Sequence, residues 1–317
     1  MATQGLVAVT LPRAQPRRRQ ENTVLAVGDE RVHKLALAGR RGAVRGVTAF
    51  DIAPEAETAA AWHELVIDAA SVQRIGQEHP EVLRRAGRIW VVPSEDVEGG
   101  ATQNPFDDPL PAVGRVVKRA LDVTLALLAL LLVLPVLVLA GLAVRCDSRG
   151  PALFRQVRMG KDGRRFRLYK LRTMDNGNDD RTHREFVARL IAGTTNPCGG
   201  LYKLADDPRV TRVGRVLRRF SIDELPQLWN VLRGDMSLVG PRPPLPQETE
   251  LYTARAWGRL RVKPGMTGLW QVSGRSRLAF EDMVSLDVRY WQHWSLLSDL
   301  VILLKTPRTV LSGRDTA

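Results

Sequence analysis

From Val123 to Val144 the chain runs for 22 residues without a single charged side chain. No other feature limits the fold so strongly. An α-helix needs about 20 apolar residues to traverse the hydrocarbon of a bilayer. A helix buried in a soluble core seldom stays apolar on every face, so this run is expected in a membrane. Two details argue against a simple crossing. Pro135 sits near the centre and is expected to break the helix. Cations flank both ends, with Arg115, Lys118 and Arg119 before it and Arg145, Arg155, Arg158 and Lys161 after it. The positive-inside bias holds both flanks in the cytoplasm. A helix-break-helix that enters and leaves one leaflet, over residues 120–145, satisfies both facts. The backbone groups freed at the break must then be met inside the protein, because lipid offers them nothing.

The remaining chain is rich in cations. Over 317 residues the formal net charge is +13, which implies an anionic partner: nucleic acid, a headgroup surface or a phosphorylated substrate. A nucleic-acid binder has no use for the apolar run, so nucleic acid is not expected. Cys146 and Cys198 are far apart and outside any CxxC pair, which excludes a disulfide framework and a zinc site. The five histidines lack metal-ligand spacing, and no secretory signal is expected from the first residues. Residues 1–21 are expected to be a disordered basic tail. Residues 22–92 follow as a small Rossmann-like α/β domain, whose runs TVLAVG, RGVTAFDI, HELVIDAA and RIWVVP suit buried parallel strands. AVGDERV has one glycine where a dinucleotide fingerprint needs three, so nucleotide binding there has weak support. Residues 93–112, rich in Pro, Gly and acids, are a linker.

Beyond the apolar run, LFRQVRMGKDGRRFRLYKLRTM suits two strands joined by a tight turn at Asp162-Gly163. A solvated basic hairpin and a phosphate-facing surface beside the membrane are both compatible with it. In SIDELPQLWN, two acids precede a proline and an apolar run. Ser221 and Glu224 have capping-box spacing, and Pro226 also allows Asp223 as the N-cap. The same acids at a helix start, where the dipole keeps Asp223 ionised, are equipped to attack phosphorus. Near the end, Trp291 and Trp294 lie between two apolar helical stretches, which suit an interfacial helix or a packed one.

From about Val113 to the C-terminus the chain resembles the bacterial sugar transferases, the monotopic phosphoglycosyl transferases. The resemblance rests on KRALD, GPALFRQVRMGKDG, FRLYKLRTM, DPRVTRVGRVLRR, SIDELPQLWNVLRGDMSLVGPRP, KPGMTGLWQVSGR and LDVRYW, in that order. It implies an α+β, monotopic catalytic unit over residues 113–317 with a re-entrant helix and interfacial amphipathic helices. The implied reaction moves sugar 1-phosphate from a nucleoside diphosphate sugar, usually a UDP-sugar, to polyprenyl phosphate, through a covalent aspartyl intermediate and with Mg²⁺. The implied location is the bacterial inner membrane, with the catalytic part facing the cytoplasm.

The resemblance assigns Asp223 as nucleophile and Glu224 as its partner, associated with Mg²⁺. Arg219, Lys170, Arg172, Arg275, Asp287 and the Pro241-Arg242-Pro243 element become substrate or nucleotide residues, and Pro135 the membrane break. Long members of the family resemble a four-helix transmembrane package, an α/β domain and then the catalytic unit. Residues before Val113 resemble only the middle piece, for which dimerisation or regulation is expected. A catalytically silent scaffold would use the anchor but would not require the dyad.

Overall fold

The computed structural model describes residues 6–9, 24–27, 48–50, 64–78, 80–92, 108–175, 181–193, 209–274 and 278–311. The chain divides into two compact units. One comprises Met1–Asp108, Asp162–Arg165 and Thr249–Gly258; the other comprises Pro109–Lys161, Phe166–Glu248 and Arg259–Ala317.

The first unit is built on a five-stranded mixed sheet of β1 (Leu6–Val9), β2 (Val24–Val27), β3 (Thr48–Phe50), β4 (Glu64–Asp68) and β5 (Ile89–Val92). Its order is β3-β1-β2-β4-β5. Strands β2, β4 and β5 are parallel, with Leu25 opposite Leu65 and Ile67 opposite Val91. Leu65, Val66 and Ile67 are all buried, so β4 is covered on both faces, and this is why its sequence is a continuous apolar run. Two expectations change here. Leu6–Val9 is a strand although it lies in the stretch read as a disordered tail, and β3 pairs antiparallel with it and not parallel with β2. The basic cluster at Arg17–Arg19 outweighs a four-residue apolar run in any reading by composition.

Helix α1 (Ala69–Glu78) starts where the Asp68 carboxylate accepts from Ser71 N at 2.7 Å and Ser71 Oγ at 2.8 Å. Helix α2 (Pro80–Arg85) brings Arg84 into a forked pair with Glu250 at 2.7 and 2.8 Å. A Cβ on Gly76 would lie 2.0 Å from the Glu250 carbonyl oxygen, so only glycine permits this approach.

The second unit is organised along α3, a 36-residue helix from Ala112 to Asp147. At 1.5 Å per residue it is about 54 Å long. It is the one described helix long and apolar enough to cross a membrane. Pro135 does not end it. Proline removes one N–H donor, and the leucines and alanines on either side retain theirs and favour the helix. The expected break is therefore not a gap in the helix.

One stripe of α3 packs against the unit along most of its length. Ala126, Ala129, Leu130 and Val133 meet Leu168, Leu228, Val231 and Met236. Leu137, Ala140 and Val144 meet Leu171 and Leu217. The opposite face is bare, with Leu132 80% exposed and Leu128, Leu139 and Leu142 also exposed. The residues before the apolar run fasten the helix. Lys118 Nζ donates to Asp299 at 2.6 Å, Arg119 caps the carbonyls of Val231 and Leu232 at 2.6 and 2.7 Å, and buried Asp122 accepts from Ser237 Oγ and Leu238 N at 3.0 Å. Two of the cations that looked like membrane flanks, Lys118 and Arg119, are thus also structural ties.

Strands β6 (Leu153–Met159) and β7 (Arg165–Leu171) form the expected hairpin. The connection runs from Gly160 to Arg164, longer than a two-residue turn, and within it Asp162 and Gly163 both take positive φ, 54° and 67°. Next come α4 (Arg181–Ile191), α5 (Arg212–Arg219), α6 (Gln227–Arg233), β8 (Ser237–Val239), α7 (Pro246–Thr249), α8 (Ala254–Trp257), β9 (Gly265–Thr267), α9 (Leu269–Ser273), α10 (Phe280–Gln292) and α11 (Leu296–Leu311). Strands β8 and β9 are parallel. Trp291 and Trp294 pack beside Leu110, Val239, Val262 and Ile302, and Trp294 Nε1 donates to Asp299 at 3.1 Å. They serve the core, while α11 leaves Leu297, Leu300 and Leu304 exposed.

Candidate active site

Asp223 and Glu224 lie in a 3₁₀ turn, Ile222–Glu224, between α5 and α6. Helix α5 is well started: the Thr211 side chain accepts from Gly214 N at 2.9 Å. It ends at Phe220, and Ser221 then reverses the chain with φ 54° and ψ 24°. A left-handed conformation is uncommon for a residue with a Cβ and stores about 1–2 kcal/mol. The capping-box expectation fails for this reason. In that conformation the Ser221 side chain makes no cap bond; its carbonyl instead accepts from Glu224 N at 3.2 Å. Pro226, with helical φ, precedes α6, and Asp223 is not its N-cap.

Asp223 is 5% exposed, whereas Glu224 is partly exposed. Lys170, projecting from β7, meets Glu224 Oε1 at 3.3 Å. This meeting depends on Asn230, which sequence reasoning missed. Its side-chain amide, fully buried, accepts from Tyr169 N at 3.1 Å and donates to the Arg167 carbonyl at 2.7 Å. It thereby acts as a substitute strand partner for β7 and fixes Lys170 beside α6. The only sequence signal is a polar residue amid the apolar run LWNVL.

A second group gathers around Arg242. Pro241 and Pro243 are buried on either side of it. Gly265 N donates to the Pro241 carbonyl at 2.8 Å, Arg158 Nη1 to the Pro243 carbonyl at 3.0 Å, and Met159 N to the Pro244 carbonyl at 2.9 Å. A Cβ on Gly240 would sit 2.4 Å from the Lys263 carbonyl, so this loop can approach β9 only as glycine. Arg242 pairs with Glu248 at 3.3 Å. Asp287, on α10, is buried and held by Arg259, with Nε and Nη2 at 2.9 and 2.6 Å from its Oδ2. Burial pushes the Asp287 carboxyl up to about 6, against the opposing pull of Arg259 and Arg242. Sequence reasoning placed Asp287 and Arg242 in the site but not Arg259 or Glu248, and it read Arg158 only as a flank of the apolar run.

The other expected residues fall elsewhere. Arg219 is exposed at the end of α5, its guanidinium 5.7 Å from the Phe220 ring centroid. Arg172 is buried, and its donors go to the carbonyls of Arg149, Ser148 and Gly150 after α3. It thereby closes the C-terminal end of that helix. Arg275 lies outside the described residues. Among the described residues no group of three or more His, Cys, Asp or Glu is placed to hold a metal. Mg²⁺, however, is commonly held by one or two carboxylates with substrate phosphates and water. Glu224, a hard oxygen donor with a side chain 33% exposed, fits that mode.

The model of the bacterial sugar transferase family matches residues 113–313. The chain is 45% identical over 207 residues to the exopolysaccharide production protein ExoY of Sinorhizobium fredii, covering 64% of this chain and 88% of that one. It is 45% identical over 216 residues to the UDP-glucose:undecaprenyl-phosphate glucose-1-phosphate transferase of Caulobacter vibrioides, covering 64% and 73%. It is 45% identical over 199 residues to the galactosyl transferase CpsE of Streptococcus agalactiae, covering 62% of this chain but only 43% of that one.

Proposed function

Because the chain belongs to the bacterial sugar transferase family, we propose that it transfers sugar 1-phosphate from a UDP-sugar to polyprenyl phosphate, giving polyprenyl diphosphate sugar and UMP. The names of the relatives support both substrates: one acts from UDP-glucose on undecaprenyl phosphate, and another serves exopolysaccharide production. The observation that carries the reading is the strained turn that buries Asp223 beside Glu224 and Lys170. A carboxylate held out of water and on a fixed turn is arranged for attack.

In the first step an Asp223 oxygen attacks the phosphorus that bears the sugar. The bond to the bridging oxygen breaks, and UMP leaves with that oxygen and its electron pair. In the second step an oxygen of polyprenyl phosphate attacks the same phosphorus and releases the Asp223 carboxylate. Lys170 holds Glu224 in place and adds positive charge beside the incoming phosphates. Arg242 supplies a planar guanidinium suited to the diphosphate. Glu224, with the substrate phosphates, would hold Mg²⁺, which neutralises developing charge when bound.

The catalytic unit sits at the cytoplasmic face of the inner membrane, with α3 embedded and kinked at Pro135 so that both of its ends stay on that side. Both halves of its packed stripe support this reading, since a full crossing would carry either Ala126 or Val144 away from the unit they pack on. The basic, amphipathic α5, with Val216, Phe220 and three arginines exposed, suits an anionic headgroup layer. A homodimer built through the residues before Val113 completes the proposal.

The test is UMP release by purified protein in detergent over a panel of UDP-sugars. Wild type is expected to turn over with at least one sugar, and Asp223→Asn to lose activity while remaining folded and membrane-bound. Activity of the variant within tenfold of wild type would remove Asp223 as nucleophile. Labelled UDP-sugar alone should label the wild-type protein, and no label would count against the two-step course.

A further inference from the structure

Glu248 is 2% exposed, yet it meets two arginines: Arg242 at 3.3 Å and Arg158 at 4.0 Å. An acid this deep cannot itself reach a solvent-borne substrate. Of the three side chains, Arg158 and Glu248 are enclosed, while Arg242 keeps 18% of its side chain exposed. Two guanidiniums and one carboxylate sum to a single positive charge, and the member that reaches the surface is Arg242. The backbone on both sides of Arg242 is clamped, by Gly265 on the Pro241 carbonyl and by Arg158 and Met159 on those of Pro243 and Pro244. What remains adjustable is the long side chain itself.

We infer that Glu248 is a positioning residue that fixes the Arg242 guanidinium in the orientation that receives the diphosphate of the nucleotide sugar. The identity of that ligand rests on the proposed transferase reading. Glu248 performs two tasks. It accepts from Arg242, removing rotamers that a lone arginine would sample. It also separates two like charges, because without its anion Arg158 and Arg242 would repel each other in a poorly solvated site. A guanidinium set in advance loses less freedom on meeting a phosphate pair, so the effect belongs to binding more than to chemistry.

The test uses full-length protein in detergent and the neutral isostere Glu248→Gln. UDP binding by calorimetry and KM for the UDP-sugar should both weaken about tenfold or more, with kcat within about threefold. In an Arg242→Ala background the same substitution should add less than about twofold, because its effect passes through Arg242. Arg158→Gln should shift KM in the same direction, and it is the variant to read if Glu248→Gln does not fold. Unchanged UDP affinity in Glu248→Gln, or effects that multiply in the double variant, would overturn the inference while leaving wild-type turnover intact. Wild type that neither binds UDP nor releases UMP would instead defeat the transferase reading, and this inference with it.

Discussion

Asn230→Ala tests the claim that one side-chain amide sets the position of Lys170. The substitution removes an acceptor 3.1 Å from Tyr169 N and a donor 2.7 Å from the Arg167 carbonyl, at a site with no solvent exposure. Each orphaned buried backbone group costs about 1–3 kcal/mol, while the helix gains a few tenths from alanine. The expected loss is therefore about 2–5 kcal/mol. For a domain of about 200 residues, 1 kcal/mol moves the melting midpoint by about 2–4 °C, so a fall of at least about 4 °C is expected. Transfer should fall too, because Lys170 would no longer be held within 3.3 Å of Glu224. The assay is thermal unfolding of purified protein in detergent, followed beside UMP release. Asp235→Asn is the control: it alters the third contact of the Asn230 amide, at 3.3 Å, and a mostly exposed pair with Arg233 at 3.5 Å, and should change little. A fall below about 2 °C with full activity would show that β7 is held in register by something else, and the reasoning would fail.

Asp287 makes stability and activity depend on pH in opposite senses. Its folded pKa, about 6, lies above the ordinary 3.8, so the fold binds its proton more tightly than the unfolded chain, and stability declines as pH rises from about 4 to 6, by about 3 kcal/mol. Asp287→Asn should flatten that decline in pH-dependent thermal scans. UDP-sugar KM should rise as pH drops below about 6, since protonation weakens the hold on Arg259 and Arg242; a flat KM down to pH 5 would exclude this coupling. For topology, single cysteines at Val116 and Ser148, in a background lacking Cys146 and Cys198, should both resist an impermeant thiol reagent outside intact cells and both react in inverted vesicles. Opposite accessibility would show a full crossing.

Local sequence determined those features that depend on neighbouring residues alone. The apolar run declares a helix long and apolar enough to cross a membrane, because length and the absence of charge can be read without knowing where the helix lies. Asp162-Gly163 declares a turn because both residues tolerate positive φ. The ordered motifs around Asp223 and Glu224 place the chain in the bacterial sugar transferase family, because they occur together and in that family's order. Tertiary structure decided everything that depends on distant partners. Ser221 looks like a cap but is forced left-handed by the reversal between α5 and α6. Arg172 closes the end of α3 through carbonyls 22 to 24 residues earlier in the chain, a contact that no local pattern announces. Pro135 looks like a break, yet the helix continues through it. Lys118 and Arg119, read as membrane flanks, also tie α3 to Asp299 and to the end of α6. Arg259 and Glu248 carry no local signal, because an arginine or a glutamate reads as surface until folding buries it against its counter-charge. Charge says what a side chain can pair with, and only the folded chain, by bringing one candidate within about 3 Å and removing water from the rest, selects which pair forms.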